Sequence, residues 1–278
     1  MISMIALDLD GTLLRSDGSI SEETIDELER LHETGIVVVV ATGRSYIGLP
    51  QNIRCLFFVD YLISSNGTTV TRWDDNSIIY REWMPKDLSY LIFKECSNLD
   101  IIIDTLVDGT WHIDARKYKK YNFILNNNVK KYIEKTRVME DDYDFFLNTL
   151  NKGTEKIVMN FDPSNEIIKD KISYLSQCYP VNIWSDKKHK LDIISEKASK
   201  GNALKWLANF LKIEVDTIIA FGNDDNDISM MKEVGIPVAV SNATGSLKDS
   251  TKYTTVSNDQ DGVLQYLRKV STLTSQKE

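Results

Sequence analysis

Asp8 and Asp10 stand two apart in Asp8-Leu9-Asp10-Gly11-Thr12-Leu13-Leu14. In an extended chain such residues share a face, and the turn that Gly11 permits brings both carboxylates toward one cation. A pair of this kind binds Mg²⁺ through one or two oxygens and leaves several waters on the ion. A bare Asp-x-Asp is more often only the start of a turn. The string gains weight from its place directly after the apolar run Ile5-Ala6-Leu7.

Three further segments carry compatible chemistry. Thr42-Gly43-Arg44 follows the run Ile36-Val37-Val38-Val39-Val40-Ala41. Its hydroxyl and the backbone N–H groups of a glycine turn can hold phosphate oxygens, and Arg44 either adds charge or only begins a helix. Lys200, in Ser199-Lys200-Gly201-Asn202, opens a helical pattern, where the helix dipole disfavours a cation; a bound anion facing it would explain the placement. Gly222-Asn223-Asp224-Asp225-Asn226-Asp227 gathers hard oxygen donors after a strand ending at Phe221, without the twelve-residue pattern of an EF-hand. A solvated turn is the plain alternative for this loop. His32, His112 and His189 fall in none of the four segments, so a histidine triad or zinc site has no support, and the usual glycine-rich nucleotide loops are absent from the sequence.

The elements that must position these residues read as β-α-β units. The two β-branched or apolar runs suit strands buried on both faces of a parallel sheet. Between them Ser21 precedes acidic residues, and Ile25, Leu28 and Leu31 share a helical face before Gly35. A second set follows near the C-terminus: Leu204, Leu207, Ala208 and Leu211 at helical spacing, then Ile218 to Phe221, a short helix through Met230 and Met231, and Pro237 to Val240. The middle holds separate short strand candidates at Ile78–Trp83, Ile101–Asp104, Thr110–Ile113, Ile157–Phe161 and Val181–Trp184, which suit a sheet with one exposed face. The expected fold class is α/β: a Rossmann-like, doubly wound parallel-sheet core formed by residues 1–83 and 189–278, with an α+β cap domain inserted at 84–188. Thr274 to Glu278 is expected to fray.

Hydrophobic residues at 42 % and charged residues at 27 % match a soluble globular protein. The net charge of -8 gives no general attraction to nucleic acid or anionic lipid, and any phosphate must be met by local positive charge. Cys55, Cys96 and Cys178 form no close pair, so free thiols are expected. The N-terminus reaches Asp8 without room for a signal peptide, and no apolar run spans a bilayer; a cytoplasmic protein is expected.

In this order and after these strands, the four segments resemble the haloacid dehalogenase superfamily, and within it the Cof-like branch of phosphatases. Ile63-Ser64-Ser65-Asn66-Gly67, Leu191-Asp192-Ile193-Ile194, Val240-Ser241-Asn242-Ala243 and Asn258-Asp259-Gln260-Asp261-Gly262-Val263 share the likeness. The resemblance implies that Asp8 is the nucleophile and a Mg²⁺ ligand. Asp10 is implied as general acid and then base, with its main-chain carbonyl on the metal. Thr42, with Gly43, and Lys200 hold phosphoryl oxygens, Asn226 adds a phosphate contact, and Asp227 supports the metal site. One departure concerns the metal: many relatives carry Gly-Asp where this chain has Gly222-Asn223, so a neutral carboxamide replaces a charged ligand, or Asp224 or Asp227 is recruited.

The expected activity is Mg²⁺-dependent hydrolysis of a small phosphorylated metabolite, a sugar phosphate or phosphorylated cofactor, through an aspartyl-phosphate, with the cap excluding bulk water. A sugar phosphomutase and a phosphate-binding regulatory protein without turnover are the alternatives. The expected partner is a small-molecule phosphate ester, with no nucleic acid and no membrane.

Overall fold

The computed structural model describes residues 2–185 and 189–275. Its strands, in chain order, are β1 (Met4–Leu7), β2 (Val37–Ala41), β3 (Tyr61–Ser64), β4 (Thr69–Arg72) and β5 (Ile78–Arg81). There follow β6 (Ile101–Val107), β7 (Thr110–Asp114), β8 (Arg137–Glu140), β9 (Lys156–Phe161), β10 (Val181–Ser185) and β11 (Lys190–Ser195). The last are β12 (Ile218–Gly222), β13 (Ile236–Val240) and β14 (Tyr253–Thr255). Contacts divide the chain into two compact units, Met1–Tyr80 with Ser199–Glu278, and Arg81–Ala198.

The first unit holds an eight-stranded sheet in the order β14-β13-β12-β1-β2-β3-β4-β5. Pairing is parallel from β14 through to β3, and β3–β4 is antiparallel. The period-2 alternation of β1 explains the layering. Ile5 and Leu7 join one core with Leu28, Leu31, Val263 and Leu267, while Met4 and Ala6 join the other with Leu204, Leu207, Met230 and Met231. Every residue of the strand is buried, which is why it reads as a continuous apolar run rather than an alternating one. The helix Glu22–Glu33 starts where expected, with the Ser21 hydroxyl accepting from the Thr24 N–H. The C-terminal helix runs Gly262–Ser275, so Thr274 and Ser275 extend a helix rather than a tail; the rest of the expected tail, 276–278, lies outside the described residues.

The second unit holds a six-stranded sheet in the order β10-β11-β9-β6-β7-β8, antiparallel except for the parallel pair β7–β8. Ile101 and Ile103 face a core shared with Ile92, Phe93, Leu147 and Leu175 from the helices of this unit. The expected return to the first unit at residue 189 comes too early. β11 pairs Leu191 with Met159 and Ile193 with both Ile157 and Ile183, so its hydrogen bonds hold it in the second sheet, and the chain crosses back at Ser199. The outgoing crossing falls at Arg81, just before the expected 84.

Candidate active site

Loops at the carboxyl ends of β1 and β12 and the start of the helix Lys200–Leu211 bring Asp8, Asp227 and Lys200 of the first unit together. Asp8 is the first residue past β1, and its N–H donates to the Phe221 carbonyl at 3.1 Å. Gly11 turns the chain at φ 81°, and a Cβ there would lie 2.5 Å from Asn223 Nδ2, so both the backbone angle and the close approach require glycine. Next to it the Thr12 hydroxyl donates to Asn223 Oδ1 at 3.1 Å.

Lys200 is the centre of the site. Its side chain is wholly buried, and Nζ donates at 2.6 Å to Asp8 Oδ1 and at 2.6 Å to Asp227 Oδ1. The helix it opens, Lys200–Leu211, is capped by the Ser199 hydroxyl, which accepts from the Asn202 N–H. The dipole-opposed lysine is therefore matched by two carboxylates. Burial would lower the Lys200 ammonium, but Asp227 and Asp8 together raise it above its ordinary value. Asp8 moves up as well, to about 7, chiefly because it is buried and next because Asp227 is close; Lys200 and Thr12 offset only part of this. With both carboxylates ionised the triad carries one uncompensated negative charge, which is part of why Asp8 is held up.

The acidic loop does not act as one cluster. Asp227 points inward: Oδ1 meets Lys200, and Oδ2 accepts the N–H groups of Asn223 at 2.9 Å and Asp224 at 3.1 Å. Asp224 instead caps the short turn Asp225–Asp227, accepting from the Asp225 N–H. Asp225 faces away, accepting from the hydroxyls of Thr244 at 2.9 Å and Ser246. Composition places several carboxylates in this loop, but the turn sends only Asp227 to Lys200.

Thr42 lies just past β2, fully buried, with its hydroxyl accepting the Arg44 N–H at 3.1 Å. A Cβ on Gly43 would lie 2.9 Å from Asn66 Oδ1, and the same oxygen accepts from Asn226 Nδ2 at 2.9 Å. Asp10 points elsewhere. Its side chain is 53 % exposed, and both oxygens are held by Arg44 in a two-pronged fork, Nε–Oδ2 and Nη2–Oδ1, each at 2.7 Å. Arg44 Nη1 also donates to the Gly48 carbonyl at 3.0 Å, and Asp10 and Arg44 line a groove of about 600 Å³ with Arg15, Asn242 and Asp259. Three contacts around the candidate site escaped the sequence reading: the Arg44 fork, the Thr12–Asn223 bond and the Asn66–Asn226 bond. Of these only the last had a sequence signal, the Ser65-Asn66-Gly67 string, a composition that favours left-handed backbone.

For a hard divalent cation, the donors present are the Asp8 carboxylate, the Asp10 main-chain carbonyl and Asn223 Oδ1. No group of three or more His, Cys, Asp or Glu side chains among the described residues is arranged to hold a metal. The surplus negative charge and the raised Asp8 carboxyl are what a cation would relieve, so this oxygen set fits such an ion in charge and hardness.

A model of the haloacid dehalogenase-like hydrolases matches residues 5–267 of the chain. Among curated proteins, a Bacillus subtilis protein named 5-amino-6-(5-phospho-D-ribitylamino)uracil phosphatase is 27 % identical, with 97 % of this chain and 98 % of that protein covered. A putative phosphatase of Buchnera aphidicola is 31 % identical, with 97 % of each chain covered. Among solved structures, a Thermotoga maritima protein superposes with a TM-score of 0.80 at 24 % identity, covering 97 % of each chain. No described helix is long and apolar enough to cross a membrane.

Proposed function

The chain belongs to the haloacid dehalogenase-like hydrolases, as a phosphatase of their Cof-like branch, and on that premise we propose Mg²⁺-dependent hydrolysis of a small phosphorylated metabolite through a phosphorylated Asp8. The observation that carries this reading is the buried Asp8–Lys200–Asp227 triad at the carboxyl ends of parallel strands, with both ion pairs at 2.6 Å. Lys200 neutralises part of the charge that would repel a phosphate dianion from Asp8, and Asp227 holds the ammonium and the loop bearing Asn223 and Asn226. Thr42, the Gly43 turn, Lys200 and Asn226 bind and orient the phosphoryl oxygens.

In the first displacement an Asp8 carboxylate oxygen forms a bond to phosphorus as the bond to the ester oxygen breaks. Asp10 delivers its proton to that leaving oxygen. In the second, a water oxygen attacks the phosphorus of the acyl phosphate, Asp10 takes the water's proton, and phosphate leaves with Asp8 regenerated. Asp8, Asp10 and Asn223 would hold Mg²⁺, with Asp227 supporting them from behind. When bound, the ion supplies charge stabilisation for the in-line displacement. Arg44 holds each Asp10 oxygen by a single bond and so fixes the orientation of the carboxyl group, which keeps its remaining sites for a leaving oxygen or water.

The test is phosphate release from sugar phosphates and phosphorylated cofactors, including a phosphoribitylaminouracil, with Mg²⁺ or with chelator. Turnover that needs the metal and disappears in Asp8→Asn supports the proposal. A folded, Mg²⁺-supplied wild type that is inert toward the whole panel, or an Asp8→Asn variant as active as wild type, refutes it.

A further inference from the structure

The loop after β3 adopts a backbone that L-residues avoid. Ser65 (φ 50°) and Asn66 (φ 59°) lie in the left-handed region, and Gly67 follows at φ 95°. Asparagine and glycine tolerate this region, serine less so. The buried hydroxyls of Ser65 and Thr68 also have no hydrogen-bond partner among the described residues. Strain of this kind persists only where the surroundings impose it.

Here the surroundings are the phosphate-facing segments themselves. The Asn66 N–H donates to the Thr42 carbonyl at 3.0 Å and the Ser65 N–H to the Arg44 carbonyl at 2.8 Å, which ties the loop to the turn after β2. A Cβ on Gly67 would lie 2.1 Å from the Ser199 carbonyl oxygen, so the loop also abuts the start of the Lys200 helix. The left-handed turn points the Asn66 carboxamide between Gly43 and Asn226, where its Oδ1 accepts from Asn226 Nδ2 at 2.9 Å.

We propose that Asn66 is a positioning residue: by accepting from the Asn226 amide it fixes the orientation in which Asn226 presents its remaining N–H to a phosphoryl oxygen. This rests on the phosphatase reading to the extent that it takes Asn226 as a phosphate contact. The bond is neutral and partly buried, so it sets geometry without adding charge beside the phosphate.

The test is a double-mutant cycle on the full chain in Mg²⁺, read as the dissociation constant of inorganic phosphate by calorimetry, with turnover of p-nitrophenyl phosphate measured in parallel. Asn66→Gly removes the carboxamide while glycine adopts the backbone freely. It is expected to weaken phosphate binding about tenfold and to have almost no effect in an Asn226→Ala background, because the two residues act as one unit. Wild-type affinity in Asn66→Gly, or effects that multiply independently in the double variant, overturns the proposal. If Asn66→Gly fails to fold, Asn66→Ser takes its place: its short side chain cannot reach the Asn226 amide and adds no charge, so it is expected to weaken phosphate binding about tenfold in the wild-type background and hardly at all with Asn226→Ala, and unchanged binding overturns the inference. Wild type that binds phosphate without turning over any ester refutes the catalytic reading while the cycle still decides Asn66; wild type that binds no phosphate overturns both.

Discussion

Replacing Asp8 with asparagine should make the metal-free protein more stable. Asp8 is 5 % exposed, and burial together with Asp227 lifts its carboxyl from the usual 3.8 to about 7. Each pH unit between these values corresponds to about 1.4 kcal/mol, so a metal-free protein with Asp8 ionised carries at most about 4 kcal/mol of destabilisation, and about 2 after local relaxation. The sign follows from proton counting. Between about pH 4 and pH 7 the folded state binds more protons at Asp8 than the unfolded state, so wild-type stability falls as pH rises through that window and levels off above it. Asp8→Asn removes this dependence while keeping an oxygen for Lys200, and Lys200 retains Asp227 as a neutralising partner. Urea unfolding in chelator at pH 5 and pH 8 reads both effects. The variant is expected to exceed wild type by about 2–4 kcal/mol at pH 8, with the difference shrinking at pH 5. A variant equal to or weaker than wild type at pH 8, with the same pH slope, would show that Asp8 is not held in an unbalanced site, and the argument for a charge-compensating cation would fail with it.

Two further outcomes follow from single contacts. Arg44→Ala breaks an ion pair whose partners are both more than a third exposed, so thermal stability should barely move. Turnover of alkyl phosphates should nevertheless fall about tenfold, because Asp10 loses its fork, while p-nitrophenyl phosphate, whose leaving group needs no proton, should stay within about threefold. Equal losses on both esters would deny that Arg44 acts through Asp10. Gly67→Ala places a methyl 2.1 Å from the Ser199 carbonyl oxygen at φ 95° and should destabilise by about 2–4 kcal/mol in chemical denaturation. A change below about 0.5 kcal/mol would mean that this approach is not constrained.

What the sequence disclosed and what it hid have physical causes. Parallel strands covered on both faces must be apolar throughout, so the first polar residue after each marks the carboxyl edge of the sheet: Asp8 after Leu7, Thr42 after Ala41 and Asn223 after Gly222 were legible for that reason. Lys190–Ser195 mixes Leu191, Ile193 and Ile194 with Lys190, Asp192 and Ser195, and its partners are a long-range property that a short run does not encode; it pairs in the second sheet. The loop at Asp224–Asp227 shows the limit within a site. Its composition announced oxygen donors, but which carboxylate faces Lys200 depends on a single short turn that also spends Asp224 as its cap. Asn66 was hidden because its contribution depends on left-handed backbone and on contacts with residues distant in sequence.

The departure at Asn223 follows from the same charge balance. Asp8, Lys200 and Asp227 already leave one negative charge without a partner, and a carboxylate at residue 223 would add a second beside an Asp8 that burial already holds up to about 7. The carboxamide keeps an oxygen that accepts from Thr12 at 3.1 Å, and its nitrogen packs against Gly11, so the loop geometry survives without the charge. Asn223→Asp preserves the shape and should therefore change only the electrostatics. Divalent cation affinity should rise about tenfold, since like charges brought together favour the ion that relieves them. Metal-free stability should fall by about 1–2 kcal/mol for the same reason. Calorimetric titration with Mg²⁺ and thermal melts in chelator measure the two sides separately. If affinity and metal-free stability both stay at wild-type values, residue 223 does not face the cation, and the third ligand must come from elsewhere in the loop.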